Sequence, residues 1–264
     1  MRTAAAQLPP FEQSADKVFA TPHAVVLLDG ASAFVPVPVS PAAYAEQLGM
    51  SLRNLLLTEP QADLRLILSQ AIAGTAEALH LVPGRSPSST VTIARQTNGR
   101  VNVLALGDSV AILPHEVVTD ERMDALDLEP RRVYRERLMA GHGYGAQHRE
   151  TVRELQRQQA AYRNRDGGYW IAEADPNAAQ HALLRQYGTD EVPWLVLASD
   201  GAYNTMSHLR LNDWAAVARM STEELHERLN RCQAWEAEAD PDGKSLPRAK
   251  RHDDKSLAAV LLDT

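Results

Sequence analysis

The chain has 264 residues, 44% of them hydrophobic and 23% charged, an ordinary composition for a soluble globular protein with enough material to bury a core. A formal net charge of −7 disfavours a dedicated nucleic-acid binder, which would be basic, so any phosphorylated substrate must meet positive charge that is supplied locally. The single cysteine, Cys232, excludes an intramolecular disulfide, and neither a signal-like stretch nor a membrane-length apolar run is present, which together lead to the expectation of a cytoplasmic protein that engages neither membrane nor nucleic acid.

After an N-terminal arm, residues 16–21 (DKVFAT) and 23–28 (HAVVLL) read as two short strands. Ser40 followed by Pro41 marks a helix start, and Tyr44, Leu48, Leu52 and Leu55 then share a face. A second helix follows, with Leu64, Leu68, Ala71, Thr75 and Leu79 at helical spacing. The segment STVTIARQTNGRVNVLALGDS predicts a hairpin, because Asn98-Gly99 tolerates the positive φ angles of a tight turn between two β-rich runs. Gly107-Asp108-Ser109 closes it, and VAIL continues as another strand.

From Glu121 to Asp190 the pattern is less regular and more charged. Val152, Leu155, Gln159 and Tyr162 form a helical stripe there, with Arg149, Arg153, Arg157, Arg163 and Arg165 on or near its exposed side. Residues 194–199 read as a buried strand, 222–229 as a helix, 240–251 as a loop and 257–262 as a closing strand. With no repeat, low-complexity tract or linker, one domain over residues 1–264 is expected. Strands outnumber what a βαβ pattern allows, and the hairpin requires antiparallel pairing, so the fold class is α+β: packed antiparallel sheets with helix pairs outside.

Asp29 and Asp200 each end an apolar run (VVLLDG, WLVLASDG), and Asp253 opens one (RHDDKSLAAVLL). An Asp-Gly after a strand is usually only a turn. Together, however, Asp29-Gly30, Asp108, Asp200-Gly201 and Asp253-Asp254 all sit at strand boundaries, and carboxylates brought together there would repel one another without a cation. Hard oxygen ligands of this kind suit Mg²⁺ or Mn²⁺.

On Asp16, Asp29-Gly30, Ser88-Ser89-Thr90, Gly107-Asp108-Ser109, Ala198-Ser199-Asp200-Gly201 and Asp253-Asp254, in that order, the chain resembles the metal-dependent serine/threonine protein phosphatases of the PP2C type (PPM family). The resemblance implies two antiparallel sheets flanked by helix pairs, with two Mn²⁺ or Mg²⁺ ions at one end of the sandwich. It implies that Asp29 bridges both ions, that the Gly30 carbonyl binds the second, and that Asp200 and Asp253 hold the first. Asp108 matches a position that, with Asp200, holds a third ion in bacterial members. Asp16 matches an acid that contacts metal-bound water, and Asp254 supports Asp253. The implied chemistry is in-line attack on phosphorus by a metal-bridging hydroxide, with Asp29, Asp200 and Asp253 acting through the ions and no phosphoenzyme formed. The implied substrate is a phosphorylated protein carrying phosphoserine or phosphothreonine, with a small phosphate ester as a variant, and residues 120–190 match the family's variable flap.

The chain departs from the family at three places. Phe11 stands where the phosphate-binding arginine is usual, Ala15 replaces a glutamate, and Ala31-Ser32-Ala33 follows Asp29-Gly30 without the histidine that serves as general acid in some members. Replacement cations are available in Arg248, Lys250 and Arg251, or in the helix beginning near Arg149. These departures keep open the alternative of a phosphatase-like binding or regulatory module. Other phosphatase chemistries fail on their residues. The position six after Cys232 is Glu238, not the arginine of a cysteine phosphatase, and Ala31 stands where a haloacid-dehalogenase-type enzyme needs a second aspartate. Among the histidines, His142 and His148 read as exposed loop residues, and His252 stands beside Asp253 in sequence, although adjacent strand residues point to opposite faces.

Overall fold

A computed structural model describes residues 1–263. The chain runs through β1 (Arg2–Leu8), β2 (Lys17–Ala20), β3 (Ala24–Leu28), α1 (Pro41–Thr58) and α2 (Leu64–Ala78). It continues through β4 (Val91–Thr97), β5 (Arg100–Leu106), β6 (Val110–Ile112), β7 (Val117–Val118), α3 (Glu129–Met139) and α4 (Ala146–Ala160). A 3-10 turn (Pro176–His181) leads to β8 (Leu183–Gly188), β9 (Trp194–Ala198), α5 (Asp200–His208), α6 (Trp214–Val217), α7 (Thr222–Glu238) and β10 (Lys255–Leu261). Two five-stranded sheets result, ordered β1-β10-β9-β6-β7 and β2-β3-β4-β5-β8, and every ladder is antiparallel.

Strand alternation divides the apolar residues between three layers of core. In β3, Val25 and Leu27 face the other sheet, while Val26 and Leu28 face α1 and α2. In β10, Ala258 and Val260 point into the sandwich, while Leu257 and Ala259 meet Leu225, Leu229 and Cys232 of α7. The order from outside to outside is therefore helices, sheet, sheet, helices. A separate cluster of Leu128, Tyr134, Leu138, Val152 and Leu155 joins α3 to α4, and Phe34 and Ala249 pack against it.

The expected hairpin forms with Thr97 opposite Arg100, and Asn98 (φ 52°) and Gly99 (φ 70°) both adopt left-handed backbone. Ser40 caps α1 by accepting from the Ala43 N–H at 3.1 Å, with Pro41 in the first turn.

Four features differ from the sequence expectation or go beyond it. The N-terminal arm is strand β1, paired along its whole length with β10. Its sequence RTAAAQL has little β-propensity of its own, so the pairing is made by the partner strand. The VAIL run forms the strand expected of it, β6, which crosses to the other sheet and pairs with β9. The irregular region contains the helix α3, whose apolar residues are sparse. Finally, α4 ends at Ala160, which leaves Tyr162 of the expected stripe beyond it, and α7 runs on to Glu238.

Candidate active site

The strands bearing candidate residues all turn at one end of the sandwich, as antiparallel pairing requires. β3 arrives where β2 departs, so Asp29 comes beside Asp16. β9 arrives where β10 departs, so Asp200 comes beside Asp253 and Asp254. Asp108 lies in the crossover from β5 to β6, between the sheets.

Two glycines let these turns touch. A Cβ on Gly30 would stand 2.7 Å from the Ala15 carbonyl oxygen, and one on Gly201 would stand 2.3 Å from that of Asp254. The Asp-Gly pairs thus serve close approach of backbones and not turn conformation alone. Asp29 is further held by the 88–90 segment. Its N–H donates to Thr90 Oγ1 at 3.1 Å, and its carbonyl accepts from the Thr90 N–H at 2.9 Å and Ser89 Oγ at 3.0 Å. Thr90 Oγ1 also shares a 2.7 Å hydrogen bond with Ser109 Oγ, linking this support to the Asp108 turn.

Asp29, Asp108, Asp200 and Asp253 line one cleft of about 380 Å³, roofed by Tyr134, Val152, Leu155 and Gln156 of α3 and α4. Asp16 is 1% exposed and lies outside the lining. Asp254 turns aside: its Oδ2 accepts from Ser14 Oγ at 3.1 Å and the Ala15 N–H at 2.5 Å, latching the turn that carries Asp16. Gln156 holds the loop after Gly30, accepting from the Phe34 and Val35 N–H groups at 2.8 Å each and donating to the Ser32 carbonyl at 2.6 Å.

The carboxylates resist ionising together. Burial pushes Asp16 up to about 7, with Asp254 and Asp253 adding to the effect. Burial raises Asp29 well above the usual carboxylate range, reinforced by Asp16, Asp200, Asp253 and Asp108. Burial likewise takes Asp108 to about 8 and Asp200 to about 6, helped respectively by Asp200 and by Asp253. Both Asp16 oxygens are buried without a hydrogen-bond partner among the described residues, and the Ser199 and Ser256 hydroxyls relieve its burial only in part.

This donor set fits a hard divalent cation: it is all oxygen, mutually repelling, and backed by an unpartnered buried carboxylate. Among the described residues, however, no three Asp, Glu, His or Cys side chains stand at the spacing of a closed metal centre. The carboxylates face the cleft as an open set.

One lysine enters this set. Lys250 Nζ stands 2.5 Å from Asp253 Oδ1. Burial alone would lower the Lys250 pKa, but Asp253, Asp254 and Asp29 outweigh it and hold the ammonium charged. The other replacement cations are engaged elsewhere. Arg248 bonds Asp240 Oδ2 at 2.7 Å and the Asp240 carbonyl at 2.9 Å, and Arg251 donates to the Pro241 carbonyl at 2.8 Å. Arg149, Arg153 and Arg157 are exposed on α4, where Arg153 and Arg157 pair with Glu150 and Glu154. Phe11 packs edge-on against Phe19, with Lys17 over its ring, and takes no part in the cleft.

Two residues sit differently from the sequence expectation, and His252 keeps to the face away from the cleft. Arg163 is half-buried and lines the cleft. His148 is 3% exposed, its Nε2 2.8 Å from the Ala249 carbonyl, because α4 turns it inward. His252 turns away to Glu236 Oε2 at 3.1 Å. Sequence reasoning missed Gln156 and Tyr134, for which membership of an amphipathic helix was the sole signal.

No protein-family model matches this sequence. No curated protein matches it by sequence either. Solved structures do match. The PPM Ser-Thr phosphatase MsPP from Mycobacterium smegmatis, solved in complex with cacodylate, is 18% identical and superposes with a TM-score of 0.55 over 100% of this chain and 99% of its own. The serine/threonine phosphatase Stp1 from Staphylococcus aureus is 12% identical, with a TM-score of 0.58 over 100% of this chain and 96% of its own. PppA of Pseudomonas aeruginosa, described as a key regulatory component of T6SS, is 15% identical, with a TM-score of 0.52 over 97% of this chain and 95% of its own. The chain has the PP2C-type (PPM) phosphatase fold, and no helix among the described residues is long and apolar enough to cross a membrane.

Proposed function

We propose that the chain is a metal-dependent phosphatase acting on phosphoserine or phosphothreonine esters of proteins, with small phosphate esters as a further substrate class. The observation that carries this reading is the convergence of Asp29, Asp108, Asp200 and Asp253 on one cleft, with Asp16 unpartnered behind them, in a PP2C-type sandwich. Asp29, Asp200 and Asp253 are the residues to hold Mn²⁺ or Mg²⁺, with the Gly30 carbonyl as a further donor and Asp108 with Asp200 as a third site. Asp16 backs the cluster, and Asp254 orients the Asp16 turn. Bound ions would supply positive charge and an activated water for in-line attack on phosphorus. The protein's own part is to orient that attack through strand-end carboxylates in a cleft bordered by α3 and α4. Residues 1–264 act in this reading as one domain with a flap over roughly 120–190, and the cytoplasm is the compartment proposed.

The test is hydrolysis of p-nitrophenyl phosphate and a phosphothreonine peptide with Mn²⁺, with Mg²⁺ and with EDTA. Metal-dependent release from either is expected, and Asp200→Asn should reduce it by about a hundredfold or more while leaving the fold intact. Absence of metal-dependent release from both substrates would favour the second reading, a phosphate-recognising module without turnover. That reading draws on the Lys250–Asp253 pair and the open carboxylate set.

A further inference from the structure

A phosphate monoester carries about two negative charges at neutral pH, and the cleft it must enter is lined by carboxylates. Five cationic side chains border that cleft: Arg131, Arg135, Arg163, Arg248 and Lys250. Arg131 donates to the carbonyls of Met123 and Asp124 at 3.0 Å each, within α3's own approach loop. Arg248 is held by Asp240, and Arg163 bridges towards Tyr169 and the Ser86 carbonyl at 3.4 Å. Arg135 is exposed on α3. Lys250 alone among the five stands within ion-pair distance of a carboxylate of the cluster, whereas Arg131, held by its loop carbonyls, is felt by Asp108 only from farther off.

The loop that presents Lys250 is built to do so. On one side Arg248 ties it down through Asp240 and through the Leu246 and Arg251 carbonyls, at 2.9 and 2.8 Å. At the next residue, His148 of α4 holds the Ala249 carbonyl. Beyond Lys250, Arg251 faces outward to Pro241, and the buried Lys255 donates to the Asp253 carbonyl at 2.8 Å. The Lys250 side chain is 29% exposed, so its ammonium reaches both Asp253 and the open cleft. An ammonium has three donors, and Asp253 Oδ1 takes one.

We propose that Lys250 is the phosphate-binding residue of this site, donating to the phosphoryl oxygens of the incoming ester beside Asp253. The assignment rests on the phosphatase reading above and names the chain's own cation for it. The competing role is that of a plain counter-ion, which would only neutralise Asp253. The two roles differ in what Lys250→Gln does: losing a phosphate contact weakens anion binding, whereas losing a counter-ion frees a carboxylate for metal.

Calorimetric titration of Mg²⁺-saturated protein with inorganic phosphate, and of metal-free protein with Mn²⁺, separates them. Lys250→Gln is expected to weaken phosphate binding and raise KM for p-nitrophenyl phosphate by about tenfold or more, with kcat less affected, as suits loss of a charge-assisted contact. Mn²⁺ affinity should stay unchanged, since tighter Mn²⁺ binding with unchanged phosphate binding is the mark of a plain counter-ion, and Lys250→Arg should recover most of the phosphate affinity. Unchanged phosphate affinity in Lys250→Gln overturns the proposal, and so does wild-type protein that takes up no phosphate. The phosphate titration does not require turnover, so a wild type that binds phosphate but fails to hydrolyse esters sinks the phosphatase reading while still deciding the role of Lys250.

Discussion

At the scale of single residues, the site depends as much on what is absent as on what is charged. Gly201 has no Cβ to strike the Asp254 carbonyl oxygen at 2.3 Å, and that clearance is what seats Asp200 beside Asp253. Gly201→Ala should therefore displace the Asp253-Asp254 turn, costing about 1–3 kcal/mol in urea denaturation and, under the proposed function, most of the turnover. Gly74, inside α2, is a fair contrast, since a Cβ there meets nothing within 4 Å. Gly74→Ala should stabilise the protein by about 0.5–1 kcal/mol through helix propensity and leave activity alone. Equal losses from both substitutions would show that close approach at Gly201 is not what matters. The Asp-Gly pairs were legible as candidates in the sequence, but their purpose was not. A glycine chosen for clearance and one chosen for a turn look the same until the opposing backbone is in place.

At the scale of elements, α4 is the piece that joins the α3–α4 helix pair to the site. Its Val152 and Leu155 pack with α3, while Gln156 reaches back to the loop that follows Asp29-Gly30. Gln156→Ala removes three hydrogen bonds from that loop, each worth about 0.5–1.5 kcal/mol net. Hydrogen exchange in residues 32–36 should quicken markedly while the β3–β4–β5 ladder keeps its protection; unchanged exchange in the loop would remove Gln156 from this role. The apolar stripe of α4 was readable from its period, whereas α3, with few apolar residues, was not. The arginines of α4 were readable only as charge. The fold shows Arg153 and Arg157 spent on exposed pairs with Glu150 and Glu154, which contribute little to stability, and it brings Arg163 to the cleft. Ion-pair partners three residues apart on a helix are visible in a sequence, but which face meets solvent is not.

At the scale of the whole molecule, one end of the sandwich concentrates negative charge in a partly buried place. Asp16, Asp200 and Asp108, raised to about 7, 6 and 8, all hold protons in the folded chain at pH values where the unfolded chain has released them. Between the ordinary carboxylate value of 3.8 and about 8, the folded state thus binds more protons than the unfolded one, and stability falls as pH rises. In EDTA the thermal midpoint should accordingly be lower at pH 8 than at pH 5.5. Under the proposed function Mg²⁺ or Mn²⁺ should raise it, and by more at pH 8, because cations would bind the ionised carboxylates and stabilise only the folded arrangement. A metal-free midpoint that is flat or rises across this range would contradict the electrostatic account of the site.

Readable before any fold were the strand-end positions of the aspartates, the hairpin at Asn98-Gly99, the helix capped by Ser40 and the α+β class. Each of these rests on local chemistry: turn conformation, capping, and the two periods of buried side chains. Tertiary structure alone decided that RTAAAQL is a strand, that VAIL crosses to the second sheet, that Asp254 is a latch, and that Lys250, rather than Arg248 or Arg251, faces the carboxylates. Those outcomes depend on partners far away in the chain, Leu261 for Arg2 and Ala15 for Asp254, and no local pattern encodes a neighbour that only folding supplies.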